Sequence, residues 1–255
     1  MTPIVELKHV SMNYHTLKAE TKAIENLSLS VHPGEFISIV GPSGCGKSTL
    51  LSLIAGLLQP TSGEISLHGK SSNNNDCTVG YMLQKDHLFE WRTILNNVYL
   101  GLEIQNKLTE ENKKYAEDLL DLYGLKDFKN YLPSQLSGGM RQRVALIRTL
   151  AVKPEILLLD EPFSALDYQT RLSVSDEIGM IIKNENKTAI LVTHDISEAI
   201  SMADRVVVLT QRPATVKTIF PIILSIDHRT PLKSREAPEF RHYFQAIWKE
   251  LNVDE

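Results

Sequence analysis

Cysteine, excess positive charge and long apolar runs are all scarce in this chain, and each shortage closes off a class of protein. Only two cysteines, Cys45 and Cys77, occur among 255 residues. Two thiols cannot build a disulfide framework, so a reducing compartment is expected. Lysine and arginine number 27 against 31 aspartates and glutamates, a formal charge of −4. The basic footprint that a nucleic-acid surface needs is therefore missing. No stretch approaches the roughly 20 apolar residues of a membrane-spanning helix. The opening Met1-Thr2-Pro3-Ile4-Val5-Glu6 has no basic segment followed by an apolar core, so no secretion leader is expected. Of the eight histidines, the seven other than His194 do not pair with Cys or Glu at metal-ligand spacing. A long internal repeat is absent too. What is present is an ordinary globular composition, 42% apolar and 23% charged, long enough to bury a full core. A membrane role would come through a partner.

Short apolar runs at Phe36 to Val40, Ile156 to Leu159, Ala189 to Val192 and Val206 to Leu209 read as strands buried on both faces. Helical patterns separate them, which predicts a parallel α/β sheet. Val5 to Val10 and Leu27 to Val31 alternate instead, predicting an antiparallel β-layer with one solvated face from the N-terminal part. From about residue 85 to 155 strand signals give way to helical ones. Thr109-Glu110-Glu111 offers a cap and an acidic first turn, Tyr115, Leu119, Leu122 and Tyr123 fall near one face, and Gly124 follows as a stop. This reads as a helical subdomain inserted into the sheet of a single domain spanning 1–255. Ser71 to Asp76 form a polar surface turn without evident chemistry. Phe240, Tyr243, Phe244, Ile247, Trp248 and Leu251 recur at helical spacing, predicting an amphipathic helix over about 238–251 that packs on its own domain.

Gly41-Pro42-Ser43-Gly44-Cys45-Gly46-Lys47-Ser48-Thr49 sits between the Phe36 to Val40 strand and a helix-like Leu50 to Ala55. That is a phosphate-binding loop in strand–turn–helix context. Its glycines let successive N–H groups point at one oxyanion, and the helix N-terminus adds partial positive charge. Lys47 brings a full charge to the β- and γ-phosphates, and the Ser48 hydroxyl is placed for Mg²⁺. A nucleoside triphosphate is the expected ligand.

Asp160-Glu161 ends the buried Ile156 to Leu159 run. In a doubly wound sheet the carboxyl ends of parallel strands share one edge, so this pair faces the crevice of the phosphate loop. Asp160 would hold Mg²⁺, usually through water, and Glu161 would serve as general base or orienter of an attacking water. Thr193-His194-Asp195 ends the next run at that edge; His194 either contacts a γ-phosphate oxygen or is structural. Leu136 to Arg143 opens a helix carrying Val144, Ile147 and Ala151. Its Ser137-Gly138-Gly139 start is either a plain cap or a second anion site.

The phosphate loop, Leu136 to Arg143 and Ile156 to Asp167 together resemble the ATP-binding subunit of ABC transporters. Leu-Ser-Gly-Gly-Met-Arg-Gln-Arg is similar to the signature motif that kinases, GTPases and helicases lack. The fold implied is α/β: a P-loop NTPase parallel sheet core with an N-terminal antiparallel β-layer and an inserted helical subdomain. The resemblance implies a head-to-tail homodimer sandwiching two ATP molecules, each between Gly41 to Thr49 of one copy and Ser137 to Gly139 of the other. In the same pattern Tyr14 resembles the aromatic that stacks on adenine and Gln84 the Q-loop glutamine that reaches Mg²⁺ and the attacking water. Ser164 to Asp167 resemble the D-loop that touches the other copy, and His194 the switch histidine.

Gln84 to Ile94, Arg212-Pro213 and Arg235 to Phe240 are similar to the nitrate, sulfonate and taurine importer branch. That implies ATP hydrolysis powering import at the cytoplasmic face of the cell membrane. Integral membrane permease subunits and an extracellular or periplasmic solute-binding protein are the implied partners. Trp91 either receives a short helix of the membrane subunit or fills the helical subdomain. A soluble ABC ATPase acting on nucleic acid or ribosomes is the other reading, and the negative charge weighs against it.

Overall fold

The structure is a computed structural model that describes residues 2–15, 20–71, 79–227 and 229–252. The turn expected at Ser71 to Asp76 falls almost entirely outside these, as does Cys77. Four short runs, β3 (Phe36–Val40), β7 (Ile156–Asp160), β8 (Thr188–Val192) and β9 (Arg205–Leu209), form the strands expected from their apolar composition. β3, β7 and β8 are buried at every position, as strands covered on both faces must be. With β6 (Val79–Met82) and β10 (Val216–Pro221) they make a six-stranded sheet in the order β10-β9-β3-β8-β7-β6. The pairs β6–β7, β7–β8, β8–β3 and β3–β9 are parallel, and only β10 runs antiparallel, on the edge.

The N-terminal layer is a separate antiparallel sheet ordered β2-β1-β4-β5, from β1 (Val5–His15), β2 (Glu20–Val31), β4 (Ser62–Leu67) and β5 (Lys70–Ser71). β1 and β2 run longer than the alternating stretches alone predict. A register shift between Leu7 and Val10 carries them past the break in alternation. There His9 and Asn26 both take a positive φ, and the His9 ring meets the Asn26 side-chain oxygen at 2.8 Å.

Period-two alternation assigns the two cores. Ile37, Ile39, Leu158 and Ile190 face the antiparallel layer and α1 (Lys47–Ile54), whereas Leu157, Leu159 and Leu191 face the helices. On the helical side lie α2 (Ile94–Ile104), α3 (Glu110–Leu122), α4 (Gly138–Ala151), α5 (Tyr168–Asn184) and α6 (Ile196–Met202). Thr93, Thr109 and Ser137 cap three of them, each side chain accepting a backbone N–H of the first turn.

One expectation about α3 needs correction. Ala116, Leu119 and Leu120 are buried, but Leu122 is 67% exposed. At 100° per residue Leu122 lies about 160° from Leu120, on the opposite side of Leu119, and so falls off the stripe that Ala116, Leu119 and Leu120 bury. After α7 (Pro231–Ser234) comes α8 (Phe240–Asn252), which lays Ile247 into the core with Phe240, Tyr243, Phe244 and Leu251 half-buried beside it. Trp248 stays outside, stacked on Phe244 at 6.2 Å. Among the described residues no helix is long and apolar enough to cross a membrane.

Candidate active site

β3, β8, β7 and β6 lie side by side and parallel, so the residues just beyond their carboxyl ends meet at one edge. The loop Gly41 to Gly46 leaves β3 there and enters α1 at Lys47. Gly46 has φ of 125°, open to glycine alone, and a Cβ on it would stand 3.0 Å from the Ala23 carbonyl. Lys47 is only 7% exposed and donates to the carbonyls of Gly41 and Pro42, each at 2.9 Å. An ammonium carries three N–H donors, so one remains for a ligand oxygen. Burial pushes the Cys45 thiol up, against the opposing charge of Lys47, and the side chain packs inside the loop. Ser43 and Gly44 complete the loop, and Thr49, in the first turn of α1, meets the Tyr14 hydroxyl at 3.1 Å, bringing that half-exposed aromatic of β1 beside it.

Ser48 and Asp160 converge. The Ser48 hydroxyl donates to Asp160 Oδ1 at 3.0 Å, and the Tyr81 hydroxyl donates to Oδ2 at 3.3 Å. Burial holds the Asp160 carboxyl above the usual carboxylate range despite those two bonds. A hydroxyl and a carboxylate are the hard oxygen donors that Mg²⁺ takes, in the small number it needs when phosphates and waters supply the rest. Among the described residues no group of three or more His, Cys, Asp or Glu could hold a metal ion.

Glu161 follows with φ of 45°, an uncommon backbone for a side chain of its size. Two neighbours address its Oε2: His194 Nδ1 at 3.2 Å and Gln84 Nε2 at 3.5 Å, the latter at the limit of a hydrogen bond. Gln84 Nε2 also donates to Ser164 Oγ at 3.2 Å, which in turn donates to the Glu161 carbonyl. Residues from β6, β7 and β8 thus form one polar cluster beside the loop.

Ser137, Gly138 and Gly139 do not join it. Among the described residues they make no hydrogen bond to the phosphate loop; the Ser137 hydroxyl accepts from Met140 N at 3.3 Å within its own helix. The glycines serve close packing, since a Cβ on Gly139 would come within 2.8 Å of Val174 Cγ2 on α5. Tyr81 had no signal in the sequence, since a tyrosine in a four-residue strand carries no motif; its place on β6, beside β7, is what aims its hydroxyl at Asp160.

A sequence profile described as ABC transporter matches residues 24–164. The chain is 48% identical over 248 residues to the uncharacterized ABC transporter ATP-binding protein YtlC of Bacillus subtilis (strain 168), covering 97% of this chain and 95% of that one. The chain belongs to the ABC transporter ATP-binding family. Its relatives include the aliphatic sulfonates import ATP-binding protein SsuB of Bacillus licheniformis, 38% identical over 92% of this chain and 89% of SsuB. Among solved structures, the dimeric post-hydrolysis ATP-binding cassette MJ0796, bound to ADP and Pi, superposes with a TM-score of 0.73. It is 33% identical, and the match covers 86% of this chain and 99% of that one. This ABC protein is accordingly an ATP-binding, ATP-hydrolysing subunit of a transporter, built on the ABC cassette fold.

Proposed function

We propose that this subunit energises import of a small solute such as nitrate, an aliphatic sulfonate or taurine, by binding and hydrolysing ATP between two head-to-tail copies. The observation that carries the reading is the isolation of Ser137, Gly138 and Gly139. Among the described residues this glycine-led helix start makes no hydrogen bond to its own phosphate loop, and such a helix start suits an anion. A second copy supplies the missing half. Support for the importer branch comes from the likeness to SsuB and from the Gln84 to Ile94 segment.

In this reading the chain is a single ATP-binding domain whose 85–155 region is an inserted helical subdomain. Gly41 to Thr49 would wrap the triphosphate, Lys47 would meet its β- and γ-oxygens, Tyr14 would lie against adenine, and Ser48, Asp160 and Gln84 would hold Mg²⁺. The metal, when bound, neutralises charge building on the phosphate oxygens. Glu161 takes a proton from the attacking water, while His194 and Gln84 orient its carboxylate. Binding drives closure of the pair because the closed arrangement holds the nucleotide from two sides and so binds it more tightly.

Trp91 is 77% exposed and stacks on Phe89 at 4.8 Å, so it does not fill the helical subdomain. This pair is a candidate seat for the permease subunit, and a solute-binding protein would deliver cargo to that permease from outside. The subunit would then sit at the cytoplasmic face of the membrane.

The test is sedimentation of the Glu161→Gln chain with magnesium and ATP. It should run as a dimer, and adding Ser137→Arg should return it to a monomer that still binds ATP. A Ser137→Arg protein that dimerised and hydrolysed like its parent would remove the two-copy reading.

A further inference from the structure

Arg171, in the first turn of α5, reaches two separate segments. Its Nη2 donates to the Leu166 carbonyl at 3.1 Å, in the Ser164 to Asp167 loop. Its Nη1 lies 3.7 Å from Asp195 Oδ2, and its Nε lies 3.8 Å from Glu198 Oε1 on α6. The loop end of this contact rests on the isolated anion corner, because Leu166 Cδ2 stands 3.2 Å from the point where a Cβ on Gly138 would be. The other end grips the His194 segment. Glu198 is 3% exposed, and its Oε2 accepts the Thr193 hydroxyl proton at 2.7 Å. That same hydroxyl oxygen accepts from Asp195 N at 3.0 Å. The residues on both sides of His194 are therefore tied to one buried carboxylate.

The ion pair is not closed. Arg171 Nε is buried without a hydrogen bond, and 3.8 Å is beyond hydrogen-bond range. A buried N–H left unpaired is unfavourable, so a shift of under about 1 Å that brings it to the carboxylate is favoured. Such a shift has to involve the Leu166 loop, the Glu198 helix, or both.

We propose that Arg171 and Glu198 are positioning residues that couple the anion corner to His194, so that engagement of that corner by the second copy's nucleotide is felt at the chain's own site. The inference rests on the two-copy reading. Burial pushes the Glu198 carboxyl up to about 7, with Asp195 adding to the rise and the Thr193 bond, Arg171 and His194 opposing it. A buried charge of that kind weakens packing, so packing alone gives no reason to keep it.

The experiment compares the full chain with its Glu198→Gln, Arg171→Lys and Arg171→Met variants at pH 8 with magnesium and ATP. Glu198→Gln keeps an oxygen for Thr193 and removes only the charge. It should lower kcat about tenfold or more, as misplacement of a catalytic group does, while KM and binding of a non-hydrolysable ATP analogue stay within about twofold. Cooperativity in ATP should fall, and amides 193–195 should exchange faster in the analogue-bound variant than in the analogue-bound parent. Arg171→Met should match it, and Arg171→Lys should recover part of kcat.

Unchanged kcat, cooperativity and protection in a Glu198→Gln chain whose parent dimerises would overturn the coupling alone. So would a loss of kcat matched by equal losses in analogue binding and thermal midpoint. A parent that stays monomeric with magnesium and ATP would overturn the two-copy reading, and this inference with it.

Discussion

His194 Nδ1 stands 3.2 Å from Glu161 Oε2, joining residues that follow two adjacent parallel strands, β8 and β7. Gln84 addresses the same oxygen from beyond β6, at 3.5 Å. Both contacts fall on Oε2; in the proposed function Oε1 would take the proton from water.

Glu161→Gln keeps the size and most of the polar contacts of the side chain but cannot take that proton. Phosphate release should fall by about 10² to 10⁴, the usual range for losing a general base, with ATP binding retained. His194→Ala should give a smaller loss in the same assay, because it removes one of two orienting partners. Equal rates for parent and Glu161→Gln would assign the base elsewhere.

Lys47→Ala removes a charged donor from the mouth of the loop. Charge-assisted hydrogen bonds contribute about 1.5–3 kcal/mol, so ATP affinity should weaken by roughly tenfold to a hundredfold in a fluorescence titration. Unaltered affinity would mean that the phosphates lie away from this loop.

Gly139→Val tests the tight contact between α4 and α5. Its Cβ would fall 2.8 Å from Val174 Cγ2 and 3.2 Å from Thr170 Cγ2, so neighbouring side chains must give way. Overpacking of this kind destabilises by about 1–3 kcal/mol, read as a lower unfolding midpoint in calorimetry. A midpoint equal to the parent's would show that the helices can separate freely.

Glu198 makes stability depend on pH with a definite sign. Its ordinary value is 4.5 and burial raises it to about 7 in the fold. Between those values the folded chain keeps a proton that the unfolded chain has lost, so this residue's contribution to stability falls as pH rises through the window. The full effect is about 3 kcal/mol for a shift of this size. Relative to its parent, Glu198→Gln should therefore gain stability between pH 4.5 and pH 8 in urea melts at the two values. A constant difference across that range would refute the assignment.

Much of the architecture was legible because the central strands are short apolar runs bounded by polar motifs. Phe36 to Val40 matches its strand end to end, and Thr109 caps its helix as read. β4, β6 and β10 were not legible. β4 starts with Ser-Gly-Glu and is exposed over its first half, and β6 contains Gly80, whose missing Cβ admits Thr149 and Pro154 of the neighbouring helical region. Leu122 shares a helix face with Tyr115, Leu119 and Tyr123 by spacing, yet its angle on α3 sends it to solvent.

Local spacing by itself determined which chemistry this chain carries: a glycine loop with Lys47 and Ser48, two carboxylates ending a strand, a histidine ending another, and a glycine-led helix. Those features depend on residues a few positions apart, where backbone geometry is set by neighbours. Only the tertiary structure decided which of them meet. The order of parallel strands follows from crossover connections and from burying both sheet faces, and it joins Ser48 to Asp160 across 112 positions. The same packing placed Arg171 between the Leu166 carbonyl and Glu198, contacts between separate elements that no local pattern encodes.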